Sequence, residues 1–465
     1  MAVCGDKELL VSLLSGSATS DGLSRRFLGV HFDSRRLTEG NLFIALKGKR
    51  SGEEFLPSAF GNGASLALVH RKIANDKALL DSFEFKDRVV AVDDTLEAFW
   101  KLSKWWRDQI SARLIAVTGS LGKTTTKRIL AALLSPIGKG GFSEGSFNNH
   151  IGVPYTLCSL AEDDMWGVLE VGMNHKGEIA RLADLIKPDV GIITGIAPVH
   201  MEFFSSLKEV ADAKCELLGG ISKGGVGAVL NDNPELKEAA LKAVPETVTL
   251  KWFGTREGST VRLVDSQSCG LDGYIHKIEI CGKTMPFKTR LLGSHNGINV
   301  AAALMGVISA FPSVDLTALR DSLLSVMPEK GRLNPLVLPN GALVLDDSYN
   351  SSPEALKESL RILGELGEGR KTVAVLGDML ELGDKSEQMH KEIGKWLCQH
   401  PYAGYLLTFG THSKAISKEF KPSLHVDTIE ELYNALLEEG FEIALVKGSR
   451  GMRLDRVVSM LRDDL

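Results

Sequence analysis

The stretch Thr118-Gly119-Ser120-Leu121-Gly122-Lys123-Thr124-Thr125-Thr126 decides the fold of this chain. An apolar run, 114–117, precedes it and a helix-like stretch follows it. A strand, a glycine turn and a helix N-terminus in this order present backbone N–H groups to a phosphate. Lys123 would supply a charge to the outer phosphates, and the Thr124 hydroxyl a ligand for magnesium. The sequence therefore predicts a nucleotide-binding site, although Val117 stands where the first glycine of G-x-x-x-x-G-K-S/T belongs.

Composition and charge limit the class of protein. The chain has 465 residues, of which 44% are hydrophobic and 24% charged, with a formal net charge of −5. This composition predicts a soluble protein of about three domains, and the lack of basic excess argues against nucleic acid as a ligand. There is no signal-peptide pattern and no apolar run of about 18 residues that a membrane span needs. With six scattered cysteines and no C-x-x-C spacing, we expect a cytoplasmic protein with reduced thiols.

Apolar runs alternate with helix-like stretches along most of the chain. Strands are predicted at 167–171, 190–194 and 227–231, after the one at 114–117, and this alternation indicates a doubly wound, mainly parallel sheet. Residues 253–290 have glycines between alternating segments, which predicts an antiparallel insertion.

A second α/β pattern begins after Pro328, so the predicted fold class is α/β with three domains. The first, residues 1–108, is a small α/β domain. The second, 109–326, is a P-loop-type domain with a mainly parallel sheet and the antiparallel insertion. The third, 327–465, is a Rossmann-like α/β domain. We expect hinges near residues 108 and 327.

A carboxylate and an imidazole follow neighbouring strands of the predicted central sheet. Glu170 ends one strand, and His200 lies in the loop after the next. Ligands of such sheets bind at the carboxyl ends of strands, where these groups could hold a divalent cation against ATP. The alternative is a solvated glutamate and a loop histidine bonded to backbone. Magnesium prefers oxygen ligands, which makes His200 the weaker candidate.

Three further residues have both a chemical and a structural interpretation. Lys214 lies in a helix-like stretch, and its spacing alone indicates a surface charge. Arg332 follows a proline in a predicted linker, where it could stabilise a transferring phosphoryl group or form a salt bridge. Asp347 follows the apolar run 342–345 and could bind ribose hydroxyls or magnesium, or merely stabilise a turn.

Together these segments resemble the Mur ligase family, the ATP-dependent amide-forming enzymes of peptidoglycan precursor synthesis. The resemblance covers nearly the whole chain in the family's order, and the phosphate loop without its first glycine is the family's form. Other matching segments are 148–154 (Asn-Asn-His-Ile-Gly-Val-Pro) and 293–299 (Gly-Ser-His-Asn-Gly-Ile-Asn).

The resemblance implies ATP and Mg²⁺ as cofactors and assigns roles to the matching residues. The implied ATP contacts are Gly119, Ser120, Leu121, Gly122, Lys123, Thr124, Thr125, Asn296, Asn299, Arg332 and Asp347. The implied metal ligands are Thr124, Glu170, His200 and Lys214, the last as a carbamate. The implied catalytic residues are Lys123, His200, Lys214 and Arg332.

The N-terminal segment resembles the UDP-sugar-binding domain of the family. The residues that carry this likeness are Asp33-Ser34-Arg35 and the run 40–46. Contacts to the UDP-linked substrate are implied for Ser34, Arg35, Asn148 and Asn149. The chain departs from the family where 51–55 lacks the usual Asp-Gly-His before phenylalanine and where Ser205-Ser206 replaces Gly-Ser.

The segments 347–353, 376–383 and 446–451 resemble family members that join D-alanyl-D-alanine to a UDP-N-acetylmuramoyl-tripeptide through an acyl phosphate. A sister ligase adding diaminopimelate or lysine is the first alternative, although the Asp-Asn-Pro-Arg motif of the diaminopimelate-adding enzyme is absent. Folylpolyglutamate synthase shares the central fold but not the Asp33-Ser34-Arg35 domain. An NTPase switch or a non-catalytic binding scaffold is the alternative of another class. We expect a monomer.

Overall fold

The computed structural model describes residues 2–18, 25–74, 86–197 and 204–464. These residues form three α/β units in chain order, each built on its own main sheet. The α/β class and the mainly parallel central sheet agree with the sequence-based expectation. The division at 108/109 and 326/327 is a proposal, which the separation of the three main sheets along the chain supports.

The first unit contains a five-stranded sheet of order β2-β7-β6-β5-β4 and a two-stranded sheet of β1 and β3. Strands β4 to β7 are parallel, whereas β2 pairs antiparallel with β7. Its strands are β1 (Cys4–Asp6), β2 (Ser17–Ala18), β3 (Arg26–Leu28), β4 (Val30–His31), β5 (Leu42–Ile44), β6 (Leu66–His70) and β7 (Val89–Val92), and its helices are α1 (Lys7–Leu14), α2 (Leu56–Gly61), α3 (Arg71–Ala74) and α4 (Thr95–Arg107).

The central unit is built on a nine-stranded sheet of order β16-β15-β14-β13-β12-β11-β8-β10-β9. Its strands are β8 (Arg113–Thr118), β9 (Gly140–Phe142), β10 (Trp166–Glu170), β11 (Val190–Ile193), β12 (Val226–Leu230), β13 (Thr249–Gly254), β14 (Val261–Ser268), β15 (Tyr274–Ile280) and β16 (Lys283–Thr289). Its helices are α5 (Lys123–Leu134), α6 (Gly152–Ser159), α7 (Glu178–Ile186), α8 (Leu207–Gly219), α9 (Pro234–Ala243), α10 (Asn296–Ala310) and α11 (Leu316–Leu319).

Buried apolar runs form the interior strands of this sheet, because helices cover both of its faces. Residues 114–117 of β8 are completely buried. The antiparallel insertion predicted within 253–290 is present as β14 to β16. Since β13 pairs in parallel with β14, these strands extend the central sheet instead of forming a separate one.

The third unit has a six-stranded sheet of order β17-β18-β22-β19-β20-β21, parallel except for β17. Thr428 and Glu431 form a capping box at the start of its fourth helix, where each side chain accepts a hydrogen bond from the other residue's backbone N–H. Its strands are β17 (Asn334–Val337), β18 (Leu343–Asp347), β19 (Thr372–Gly377), β20 (Tyr405–Phe409), β21 (Ser423–Val426) and β22 (Ile443–Lys447), and its helices are α12 (Pro353–Leu366), α13 (Ser386–Gln399), α14 (Lys414–Glu419), α15 (Ile429–Glu439) and α16 (Asp455–Asp464).

Within the described ranges, no helix combines the length and the apolar character that crossing a membrane requires.

Candidate active site

The predicted phosphate loop connects β8 to α5 at the carboxyl edge of the central sheet. Gly119 has φ of +151° and Gly122 of +80°, and a Cβ at either position would overlap a neighbouring side chain, that of Thr194 or of Asn299. Both positions therefore require glycine. The Lys123 ammonium donates to the Gly119 carbonyl oxygen at 2.7 Å, so the loop is compact and its lysine lies within it.

Lys123 lies in a strongly charged environment. Burial lowers its pKa, Glu170 opposes this shift, and the positive charge of Arg332 adds to it. Charged groups from β10 and from the third unit thus act on the ammonium of the loop. A bound phosphate would therefore meet several positive charges at this point.

Glu170, the last residue of β10, is almost completely buried and fully hydrogen-bonded. Its Oε2 accepts from the Thr124 hydroxyl at 2.9 Å and from the Lys127 ammonium at 3.2 Å. Its Oε1 accepts from the Asn148 amide at 3.0 Å. Burial raises the pKa of Glu170, but Lys127, Lys123 and the two hydrogen bonds outweigh it, so the net pKa is lowered and the carboxylate is ionised.

The oxygen atoms around Glu170 fit magnesium. The Thr124 hydroxyl and the Glu170 carboxylate lie side by side at the start of α5, and Mg²⁺ is usually held by one or two protein oxygens together with phosphates and water. Across the described ranges, no cluster of three His, Cys, Asp or Glu side chains could hold a metal alone. The donors therefore suit a cation shared with a nucleotide. His200 lies outside the described residues, and its role stays a prediction.

Lys214 lies on α8 and is only 2% exposed, so the surface charge that its spacing indicated is wrong. Burial holds its pKa well below the usual value, and Lys123 lowers it further. The Lys214 ammonium has no hydrogen bond or ion pair with the described residues. The side chain is therefore a buried amine with a depressed pKa beside the phosphate loop, and its carbamylation stays a prediction.

Asp347, the last residue of β18, forms a second buried carboxylate site. Its Oδ1 accepts from the Leu333 backbone N–H at 3.1 Å, and its Oδ2 from the Ser359 hydroxyl at 2.6 Å. The ammonium of Lys447, at the end of the neighbouring β22, also pairs with Oδ2. The residue expected to contact ATP is thus held rigidly within its own unit.

Arg332 lies at the junction of the central and third units, in the linker region that the sequence indicated. Its guanidinium carbon stands 4.3 Å from the centre of the Tyr349 ring, and the Tyr349 hydroxyl donates to the Ser146 hydroxyl of the central unit at 2.9 Å. Glu329 pairs with Arg128 at 3.1 Å and with Arg332 at 3.6 Å. These contacts hold the arginine over the phosphate loop.

A cleft of about 680 Å³ separates the central unit from the third unit. The predicted residues that line it are Ser120, Leu121, Gly122, Lys123, Thr124, Thr125, Asn148, Glu170, Asn296, Asn299, Arg332 and Asp347. Asn296 and Asn299, in the first turn of α10, are joined by a 2.9 Å hydrogen bond between their side chains. The structure therefore brings together nearly all the expected ATP contacts.

The residues predicted for the UDP-linked substrate lie on two loops that meet, since Arg36 pairs with Glu144 at 2.7 Å. Arg35 is largely exposed and folds back on Asp33 in a two-fold contact of 2.9 and 2.6 Å, which lowers the pKa of Asp33 to about 2. Ser34 is buried, and its backbone carbonyl oxygen accepts a hydrogen bond from the side-chain amide of Asn62. The Asn149 side chain accepts from the Gly152 N–H at the start of α6. Their contacts with substrate stay predictions.

Two buried lysines of the site were not found from the sequence. Lys127 follows Lys123 by four residues on α5 and therefore shares its helical face, which was a usable signal. Lys447 follows the apolar run 443–446, so its place at the carboxyl edge of the sheet was also foreseeable. Neither signal identified the carboxylate with which the lysine pairs.

Comparisons with known proteins decide the family. Residues 117–307 match the Mur ligase middle domain and 331–450 match the family described as Mur ligase, glutamate ligase domain. The UDP-N-acetylmuramoyl-tripeptide–D-alanyl-D-alanine ligase of Rickettsia prowazekii is 31% identical over 446 residues, which cover 92% of this chain and 94% of that enzyme. The chain belongs to the Mur ligase family.

Solved structures of Mur ligases agree with this placement. MurF from Acinetobacter baumannii superposes with a TM-score of 0.86 at 26% identity and covers 100% of both chains. The MurF ligase of Thermotoga maritima, solved in complex with ADP, gives 0.78 at 27% identity and covers 94% of this chain and 97% of its own. The expectations of a Mur ligase fold and of a ligase are confirmed.

Proposed function

We propose that this Mur ligase joins D-alanyl-D-alanine to the terminal carboxylate of a UDP-N-acetylmuramoyl-tripeptide, with ATP as the energy source, in peptidoglycan precursor synthesis. The observation that carries the proposal is the cleft in which the phosphate loop and Glu170 face Arg332 and Asp347. The similarity to the UDP-N-acetylmuramoyl-tripeptide–D-alanyl-D-alanine ligase of Rickettsia prowazekii and to MurF of Acinetobacter baumannii supports it. The name of the first states both substrates.

ATP is proposed to lie along the cleft. Backbone N–H groups after Gly119 and the Lys123 ammonium would hold its phosphates, as they do at the starts of helices in other phosphate-binding loops. Asn296, Asn299 and Asp347 would contact the rest of the nucleotide, since they line the same cleft. The ADP bound to the Thermotoga maritima relative supports nucleotide binding in a chain of this fold.

Magnesium is proposed to be held by Thr124 and Glu170, with His200 as a further ligand. When bound, the ion would neutralise the phosphate oxygens of ATP. The role of the chain's own groups is to place the hydroxyl and the carboxylate side by side, which the 2.9 Å contact between them supports.

The reaction proceeds in two steps. First, the tripeptide carboxylate oxygen attacks the γ-phosphorus of ATP, the bond to the β-phosphate oxygen breaks, and ADP and an acyl phosphate form. Next, the dipeptide amine attacks the acyl carbon, loses a proton, and inorganic phosphate leaves. Lys123 and Arg332 stabilise the charge on the transferring phosphoryl group. Closure of the cleft excludes the water that would hydrolyse the acyl phosphate.

Lys214 is proposed to act as a carbamate that serves the metal site. Its amine would attack carbon dioxide and lose a proton, leaving a carboxylate on the side chain. Only the neutral amine is a nucleophile, and the depressed pKa of Lys214 favours that form. For the UDP-linked substrate we propose contacts with Ser34, Arg35, Asn148 and Asn149. We also propose a monomeric, cytoplasmic enzyme.

The test of the function is ADP release by the purified protein. With UDP-N-acetylmuramoyl-tripeptide and Mg·ATP, we expect release to depend on added D-alanyl-D-alanine. The matched comparison replaces the dipeptide with diaminopimelate, lysine or D-alanine at the same concentration. A preference for one of these single amino acids would identify a sister ligase, and ADP release without any amine would identify an NTPase.

A further inference from the structure

Lys127 is a buried charge that the proposed reaction does not use. Its side chain is 0% exposed, and its ammonium lies 3.2 Å from Glu170 Oε2. The same ammonium donates to the carbonyl oxygen of Gly145, in the loop that also carries Ser146 and Asn148. A lysine is rarely buried unless its charge is paired, and here the partner is the proposed metal ligand.

Both carboxylate oxygens of Glu170 already accept hydrogen bonds. Lys127 and the Thr124 hydroxyl share Oε2, and the Asn148 amide occupies Oε1. A metal ion that approached Oε2 would come within a few ångströms of the Lys127 ammonium, and like charges at that distance repel strongly where water is excluded. The carboxylate is therefore already neutralised before any cation arrives.

The surrounding charges act in the same direction. The positive charge of Lys123 interacts with Glu170. The positive charge of Arg332 interacts with both Lys123 and Lys127, and the carboxylate of Glu329 also interacts with Lys127. With Arg128, which pairs with Glu329, four positive groups surround the two carboxylates Glu170 and Glu329. A free divalent cation would enter an environment with excess positive charge, but a triphosphate would reverse that balance.

We propose that Lys127 is a positioning residue that takes the place of the metal charge beside Glu170, so that the enzyme binds a divalent cation only together with the nucleotide. This inference rests on the proposed metal role of Thr124 and Glu170. Lys127 keeps the Glu170 carboxylate oriented until the cation arrives, and its bond to the Gly145 carbonyl holds the loop that presents Asn148. The polyphosphate supplies the negative charge that lets the cation approach.

The experiment measures Mn²⁺ binding by electron paramagnetic resonance, with no nucleotide and then with ADP. Wild-type protein is expected to bind Mn²⁺ weakly alone and at least about tenfold more tightly with ADP, corrected for Mn·ADP in solution. Lys127→Met is expected to bind Mn²⁺ alone at least about tenfold more tightly than wild type, because a full charge near the ion is gone. Lys127→Arg should behave as wild type. Lys139→Met, an exposed lysine on the central unit, is the matched control.

The wild-type titration tests the proposal even if Lys127→Met fails to fold. Equal Mn²⁺ affinity of wild-type protein with and without ADP would overturn the proposal. An unchanged affinity in folded Lys127→Met would overturn it as well. Failure of the metal assignment is a different result: ADP release would then continue in excess EDTA. If ADP release needs the metal but wild-type protein binds Mn²⁺ tightly alone, the proposed function stands and this inference fails.

Discussion

Two lysine–carboxylate pairs, one in the central unit and one in the third, place their carboxylates at the cleft, and they differ in what else holds the carboxylate. Glu170, paired with Lys127, is otherwise bonded to the side chains of Thr124 and Asn148. Asp347, paired with Lys447, is otherwise bonded to a backbone N–H and to a serine hydroxyl of its own unit. The first carboxylate can exchange partners by side-chain rotation alone, whereas the second is fixed to the backbone.

The difference suits the proposed roles. A metal ligand has to release its hydrogen bonds when the cation arrives, but a group that orients a nucleotide should not move. Arg332 and Tyr349 lie between the two sites and connect them through Ser146. We call the residues around Glu170 in the central unit the chemical wall of the cleft, because they are proposed to serve the reaction. We call Asp347 and Lys447 of the third unit the positioning wall, because they are proposed to orient the nucleotide.

The largest effect is expected at the chemical wall. Lys123→Met should lower the rate of ADP release by about a thousandfold, because one charged donor to the transferring phosphoryl group is lost. Steady-state kinetics with saturating substrates measure it. Lys139→Met should leave the rate unchanged. A loss below tenfold would show that Lys123 does not act on the reacting phosphate.

The positioning wall should respond in stability. Asp347→Asn leaves the buried Lys447 ammonium without its carboxylate, which should lower the free energy of unfolding by about 3 kcal/mol. Urea denaturation measures the change. The double variant Asp347→Asn/Lys447→Met should recover much of this loss. If the single variant is as stable as wild type, the pair is not the rigid element that the comparison requires.

A variant of Lys214 tests whether the proposed carbamate contributes to the reaction. Lys214→Ala should lower the rate of ADP release by about a hundredfold, since the proposed carbamate is lost. Added formate or acetate should partly restore the rate by supplying a carboxylate in the vacated space. Lys208→Ala, which replaces an exposed lysine on the same helix, should keep the wild-type rate of ADP release. Full activity of Lys214→Ala would end the carbamate hypothesis.

The smallest effect concerns pH. Burial lowers the pKa of His276 to about 4, from 6.5. Below pH 6.5 the unfolded chain therefore binds a proton that the native state does not, and stability should fall as the pH falls from about 6.5 towards 4. At pH 5 this amounts to about 2 kcal/mol relative to neutral pH.

Unfolding measured at pH 7 and pH 5 checks this expectation, with His276→Gln as the variant that removes the proton-binding group. The variant should show a smaller loss on acidification than wild type. An identical pH response in both proteins would assign the acid sensitivity to other groups.

Much of the fold could be predicted because buried parallel strands are continuous apolar runs. The run 114–117 lies inside β8, and the strand predicted at 190–194 differs from β11 by one residue. Residues at the ends of such strands share one edge of the sheet, which made Glu170 and Asp347 identifiable as site candidates. The same reasoning failed for Lys214, because helical spacing does not tell which face another helix covers.

The pairings could not be predicted, since they join positions far apart in sequence. Lys127 and Glu170 are 43 residues apart, Asp347 and Lys447 are 100 apart, and Ser146 and Tyr349 are 203 apart. Each depends on strand order and on how two units pack, which no local pattern records. The resemblance to a family supplied roles for residues, but it did not supply the two buried lysines.

The central claim is that the cleft transfers the γ-phosphoryl group of ATP to the substrate carboxylate before the amide forms. The direct measurement uses UDP-N-acetylmuramoyl-tripeptide with ¹⁸O in its terminal carboxylate, together with ATP and D-alanyl-D-alanine. The account predicts that one ¹⁸O atom appears in each inorganic phosphate released, as mass spectrometry would detect. Phosphate free of ¹⁸O, with the amide formed at the normal rate, would contradict it.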